Sequence, residues 1–476
     1  MDTPSAPPAA AHCAHDRGHV VDSLFHGNAY GTPASRRIFC DRCRLQRWLY
    51  VEAVLAASQA ETGMLPAATA EEIVRACAPG RVDLDALAPE FRRTGHSLVP
   101  LLRGVEAVCT GGRGEMVHLG ATTQDIQDTA QALEMRDVLD EADRELAAMV
   151  ARLADLAEEH RDSLMTGRSY GQPAVPITFG LKAAGWLDEL LRHAGRLARL
   201  REEALVAQLF GGAGTMAGFG PYGGALLDAF ARRLGLGVPD VCWHTARDRP
   251  AEFGTVLAML AAGLARIANE VHTLSRPEIG ELAEGWEYGR VGSSTMPHKR
   301  NPERSAQVVV LARLARANAA LGIEGMVQEH ERDARGLRME WVALADVSHH
   351  TLAALAALNA VLAGLRVDRE RMAGNARRMG EQLCSETLML ALGRAIGKQS
   401  AHALVYEASQ HAQDDGGSLR AALAKHDVVG RYVDAATLEE HLDPARYLGA
   451  SGELTDRTVE RARRWLAAAA PAPAHR

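Results

Sequence analysis

The chain has 476 residues, more than one ordinary hydrophobic core accommodates, so several domains or one large domain with appendages are expected. Its formal net charge of -7 gives no overall basic field, which disfavours nucleic acid as a partner and leaves anion binding to local arginines. Only 5% of residues are aromatic and most of the chain repeats its apolar residues at helical period, so a mainly α protein without a sheet is expected.

The opening "MDTPSAPPAAAHCAHDRGH" lacks a signal-peptide core, and no run of about 20 uncharged apolar residues follows. A soluble cytoplasmic protein with no membrane partner is the expectation. Residues 1–20 are Pro/Ala-rich and expected to be disordered, like the closing "AAAAPAPAHR". Seven cysteines are an odd number without framework spacing, so reduced thiols are expected. Cys40 and Cys43 form a C-x-x-C, but the second pair of a structural zinc site is missing; no metal or cofactor site is expected.

The first helical pattern lies in "RLQRWLYVEAVLAASQAETGMLP" and ends at Gly63 and Pro66. Met135, Leu139, Ala142, Leu146, Met149, Leu153 and Leu156 alternate four and three apart, as do Phe253, Leu257, Leu260, Leu264, Ile267, Val271 and Leu274. Each stripe predicts a long helix, and the alanines off the second stripe predict that it is surrounded by other helices. Three polar, glycine-rich stretches are read as loops: "HLGATTQDIQDTA" (118–130), "GRSYGQPAVPITFG" (167–180) and "GRVGSSTMPHKRNP" (289–302). In the last, two prolines bracket His298, Lys299 and Arg300, and Gly292 precedes Ser293 and Ser294, which suits an anionic substrate and an activated serine. His349 and His350 are adjacent and point to different helix faces, so they are poor joint ligands.

"GSSTMPHKRNP" resembles the signature loop of the fumarase/aspartase superfamily, which includes adenylosuccinate lyase, argininosuccinate lyase and 3-carboxy-cis,cis-muconate cycloisomerase. "YGTPASRRIF" resembles the start of adenylosuccinate lyases, and "WHTARDRPAEF" and "EHERDARGLRMEW" resemble the cycloisomerase branch. "SETLMLALGRAIGKQSAHALVYEA" and "LDPARYLG" resemble the C-terminal domain of both. The resemblance implies an all-α fold of three domains, here 21–131, 132–382 and 383–476, around a central bundle of long helices. It also implies a homotetramer with shared active sites and a small anionic dicarboxylate as substrate.

The family chemistry is elimination across a succinyl unit through a doubly charged aci-carboxylate, which needs preorganised donors and cations. By resemblance Ser293 is the base, with Lys299 and the loop amides lowering the cost of its alkoxide. Asn301, Thr122, Thr123, Gln124, His118 and His96 would bind substrate, as would Gln172, Arg247, Ser294, Met296 and Arg332. Thr123 stands where the family usually has serine.

Two departures narrow the reaction. Tyr170 occupies the position of a family histidine that handles the proton of the leaving group, and Ala306 that of the glutamate orienting it. An amine or hydroxide leaves poorly unless protonated. The expected leaving group is therefore already stable as an anion, with Tyr170 a pocket wall or hydrogen-bond donor. Ala29 replaces the arginine that grips phosphate in adenylosuccinate lyases, although Arg36 or Arg37 could take over that role. Nitrosuccinate, giving fumarate and nitrite, is the favoured substrate. A carboxymuconate cycloisomerase, an adenylosuccinate lyase and a non-catalytic crystallin-like homologue are the alternatives.

Overall fold

The computed structural model describes residues 18–414 and 417–469. The expected disordered tail at 1–17, Cys13 within it, and the last residues of the closing Ala/Pro stretch lie outside them. The helix Asp41–Glu61 begins where the Cys40 sulfur accepts the amide of Cys43 at 3.4 Å and ends at Thr62, just before Gly63 at φ 81°. Cys40 thus acts as a helix cap.

Both stripes form long helices, Thr123–Glu159 and Asp248–Leu274. Every residue of the second stripe is buried, and every residue of the first except the half-buried Leu156. A buried leucine contributes about 1.5–3 kcal/mol, so these stripes are major stabilising elements. The stretch read as a loop at 118–130 is helical from Thr123 onward. Thr122 starts the helix, and Asp125 accepts the Thr122 amide at 3.0 Å, half of a capping box.

The expectation of no sheet needs correction. Leu164–Ser169 and Gln172–Thr178 pair antiparallel across Tyr170 and Gly171, and Leu282–Ala283 pairs with Arg366–Val367. Tyr170 and Gly171 both have positive φ, 53° and 75°, the geometry of a two-residue turn that matches strand twist. The 167–180 stretch is therefore mostly hairpin. Its glycine content masked a short strand pair: at Gly167, where the register shifts, a Cβ would lie 2.6 Å from the Val175 carbonyl oxygen.

Contacts gather the described residues into two compact units. The first comprises the chain up to Ala142 with Arg196–Ala262 and Val310–Ala356; the second comprises Asp143–Gly195, Gly263–Val309 and the chain from Ala357. In the second, the helices Ser385–Ile396, Lys398–Asp414, Leu419–Ala424 and Ala435–His441 bury Leu388, Leu392, Leu419, Leu423 and Leu438 in one apolar cluster.

Three helices, Asp248–Leu274, Glu303–Glu324 and Ala334–Ala363, are long and apolar enough to cross a membrane by length and composition alone. The most apolar window is 67% buried within the fold in the first and third, so core packing accounts for its composition. In Glu303–Glu324 that window is only 33% buried.

Candidate active site

In the first unit, the polar groups collect at the start of the Thr123–Glu159 helix. Arg332 donates to the Thr122 hydroxyl at 2.6 Å and to the Gln124 side-chain oxygen at 3.2 Å. His118, at φ 63°, places Nδ1 2.7 Å from Glu52 Oε1. His96 is exposed, and its Nδ1 accepts the amides of Leu98 and Val99, both at 3.1 Å, where the next helix begins. Thr123 is half-buried in the first helical turn.

Beneath this surface lies a buried network. Asp125 accepts the amides of Phe210 and Gly211 at 3.0 and 2.9 Å, and His244 Nε2 stands 2.9 Å from its Oδ1. His244 Nδ1 in turn meets the Cys242 sulfur at 2.9 Å. Asp125 therefore ties the segment entering the helix to two other parts of the unit. Arg247 pairs with Asp128 and Glu340 and stacks over Trp243 with 4.9 Å from guanidinium carbon to ring centroid.

In the second unit the 289–302 stretch is a loop, as expected. Ser293 Oγ accepts the amides of Thr295 and Met296 at 3.3 and 3.0 Å. Asn301 donates to the Gly292 carbonyl at 2.8 Å and to Glu303 at 3.0 Å. Gly292 is required here because a Cβ would lie 2.1 Å from the Lys299 carbonyl oxygen. The guanidinium carbons of Arg290 and Arg300 lie 5.4 and 5.5 Å from the Trp286 ring centroid, bracing the neck of the loop. Glu284 accepts the amide and hydroxyl of Ser305 at 2.7 and 2.6 Å, fixing the start of the helix behind the loop. Ser294, Met296 and Lys299 are exposed.

Tyr170 and Gln172 sit at the hairpin tip, both exposed; Tyr170 has 102% relative exposure, so within the chain it forms no pocket wall. The reason is the turn itself, which points residue 170 away from both strands. The hairpin is anchored by Arg168, which makes a two-pronged bridge to the buried Glu281 at 2.6 and 2.9 Å.

The second unit thus carries a loop with a serine hydroxyl held by two amides, next to lysine and asparagine, and the first carries a long helix starting in a threonine-rich turn. Comparison with known proteins gives the family. The family model described as Lyase matches residues 29–314, and that described as adenylosuccinate lyase C-terminus matches 381–458. The chain belongs to the fumarase/aspartase superfamily of lyases.

The lyase is 38% identical to N-acetyl-S-(2-succino)cysteine lyase of Dickeya dadantii, over 93% of this chain and 97% of that one. It is 40% identical to nitrosuccinate lyase of Streptomyces davaonensis, over 92% and 95%. The crystal structure of 3-carboxy-cis,cis-muconate lactonizing enzyme from Pseudomonas putida superposes with TM-score 0.85 at 35% identity, covering 93% and 99%.

Three expected substrate ligands of the lyase are committed elsewhere, Asn301 among them, since both its N–H donors go to the Gly292 carbonyl and Glu303. Arg247 is 1% exposed, and its five N–H donors are all engaged, by Asp128, Glu340 and the Trp243 carbonyl. Gln124 is 3% exposed, and its amide group donates to Asp128 and the His244 carbonyl at 3.1 and 2.9 Å. The last two shape the site from below: Arg247 neutralises buried carboxylates, and Gln124 positions Arg332. Sequence reading missed Glu52, Asp125, Asp128, His244 and Glu340. A signal existed for two of them, since Asp125 and Asp128 repeat at helical spacing in a segment otherwise headed for the core.

The buried histidines set a pH dependence. Burial alone would push the His244 imidazole down, but Asp125 and Cys242 outweigh it and hold its pKa up at about 9. Its contribution to stability is complete below the unfolded value of about 6.5 and is lost as pH rises through about 9. His349 is the opposite case: burial, aided by His350, His19, Arg36 and Arg44, lowers it to about 3. Below about 6.5 the unfolded chain takes up a proton that the native chain refuses, so the penalty grows as pH falls toward about 3. Thermal unfolding followed across pH is expected to fall on both sides of neutrality. His349→Gln is expected to flatten the acid side and His244→Gln the alkaline side; unchanged limbs in both variants would refute this assignment.

Proposed function

We propose that the lyase eliminates a group that is stable as an anion from a substituted succinate, releasing fumarate, and that nitrosuccinate is its substrate. The observation that carries this reading is the pairing of Tyr170 and Ala306 where relatives that expel an amine or hydroxide carry a proton-handling histidine and its glutamate. In the proposed step, Ser293 takes the proton from the carbon beside one carboxylate. Two loop amides already point at its oxygen, which favours the alkoxide. The electron pair left on carbon forms the double bond, the C–N bond breaks, and nitrite leaves with its electrons. Nitrite needs no proton from Tyr170. In the first unit, Arg332 and the Thr122 hydroxyl offer donors suited to a carboxylate.

A second reading is supported by the 38% and 36% identity to two N-acetyl-S-(2-succino)cysteine lyases. A thiolate is likewise an acceptable anionic leaving group near neutral pH. Both readings share the chemistry and differ in the departing atom. A side-by-side assay with nitrosuccinate, a succinylated cysteine, carboxymuconate and adenylosuccinate separates them. Equal amounts of fumarate and nitrite are expected; fumarate with free thiol would establish the second reading, and lactone or fumarate from the other two compounds would overturn both.

The exposed Tyr170 and the thinly covered Glu303–Glu324 helix support a homotetramer in which copies complete each site. Met259, Val310, Ile323 and Val342 lie outward on long helices, 41%, 41%, 49% and 54% exposed, where a second copy would cover them. Sedimentation at several concentrations is expected to give one tetrameric species; a stable, fully active monomer would contradict it.

A further inference from the structure

Glu52 is the most unusual acidic residue near the substrate-facing groups. It lies in the Asp41–Glu61 helix, its side chain has no exposed surface, and its Oε2 has no partner among the described residues. Its Oε1 meets His118 Nδ1 at 2.7 Å. Burying a carboxylate with half its hydrogen-bonding capacity unused is costly, and the cost is offset only if the partner carries a positive charge.

The His118 segment is held unusually firmly. Its left-handed φ of 63° is strained in a non-glycine residue and persists where the surroundings over-determine it. Gln59, two turns along the same helix from Glu52, donates to the Leu119 carbonyl at 2.7 Å. Gly120 follows with φ 78°, and a Cβ there would lie 2.7 Å from the Phe219 ring. One helix thus grips the segment at two points. With Nδ1 directed at Glu52, the ring's remaining nitrogen, Nε2, has no hydrogen-bond partner among the described residues, and the side chain keeps 15% of its exposure.

We infer that Glu52 is a positioning residue that keeps His118 in its cationic form and fixes its ring, so that Nε2–H serves as an anchor for one carboxylate of the substrate. This inference rests on reading the site as one for a substituted succinate. The charged groups facing His118 are Glu52 and, from the Thr123–Glu159 helix, Asp125. Burial alone would lower the imidazole pKa, but the charge and hydrogen bond of Glu52, with the charge of Asp125, raise it above its ordinary value. The cation is therefore held to higher pH than an ordinary imidazole's and is lost as pH rises.

The test is calorimetric binding of succinate, an inert dicarboxylate, by the full-length chain from pH 6 to 9, for wild type, Glu52→Gln and His118→Gln. Wild-type affinity is expected to hold through neutral pH and weaken on the alkaline side. In Glu52→Gln, which keeps the shape and an acceptor for Nδ1–H, the weakening is expected to begin at lower pH. A downward shift of one pKa unit makes binding by the variant up to about tenfold weaker than wild type, the full factor appearing on the alkaline side where both imidazoles have lost most of their protons. His118→Gln is expected to bind weakly with no such pH step. A Glu52→Gln profile parallel to wild type, with any loss tracking the folded fraction seen by circular dichroism, would assign Glu52 a purely structural role and overturn the inference. Failure of the wild type to bind succinate at any pH would overturn the reading of the site itself, and this inference with it.

Discussion

Ser293→Ala is expected to lose nearly all turnover, about three orders of magnitude or more, while Tyr170→Phe retains most of it. Removing the group that takes the proton leaves only binding and electrostatic assistance, and losses of this size are usual for an activated nucleophile or base. The serine oxygen receives two backbone amides, from Thr295 and Met296, that an alanine cannot use. Tyr170 stands at a turn, and its replacement by phenylalanine preserves ring and backbone while deleting only the hydroxyl. If the leaving group departs as an anion, that hydroxyl has no proton to deliver, and a change of only a few-fold is expected. Steady-state kinetics on both variants with nitrosuccinate decides the matter. A Tyr170→Phe enzyme as inactive as Ser293→Ala would show that an acid is required and would overturn the anion-expelling mechanism.

Arg247→Met is expected to destabilise the first unit by about 3–5 kcal/mol, the usual consequence of removing one partner from a buried charge network. Two carboxylates, Asp128 and Glu340, depend on this guanidinium; they also receive side-chain amides, Gln124 and Gln208 on Asp128 and Gln131 on Glu340. Without the cation the amides remain, but two buried negative charges face each other. The measurement is the urea midpoint of the variant against wild type. If Arg247 instead bound substrate directly, the variant would keep its midpoint and show only a raised KM. Asp128→Asn combined with Arg247→Met is expected to recover part of the loss, because it removes one of the unpaired charges.

The two stripes, Met135–Leu156 and Phe253–Leu274, were legible as long helices because core packing imposes a period that survives in the sequence without any knowledge of partners. The loop around Ser293 was legible for a different reason: Gly292 is forced by the Lys299 carbonyl close against it, and the prolines fix the ends, so its shape is written in residue types. The absence of a histidine at 170 and a glutamate at 306 also needed only the sequence. Other features did not reach that level. The hairpin escaped because a two-residue turn of Tyr170 and Gly171 carries almost no composition signal, and its strands are short and proline-bearing. Arg247 looked like a substrate ligand because sequence reports charge and not burial; only the folded chain shows that Asp128 and Glu340, 119 and 93 positions away, and the Trp243 carbonyl use every donor it has. Glu52 and His118 are joined across 66 positions by a helix that brings them within 2.7 Å, and such pairings follow from the tertiary path of the backbone, which local periodicity does not encode. The sequence by itself determined the helices, the serine loop and the absence of histidine at 170, whereas the tertiary structure alone decided which charges are consumed in buried ion networks, because burial and pairing depend on the path of the whole backbone.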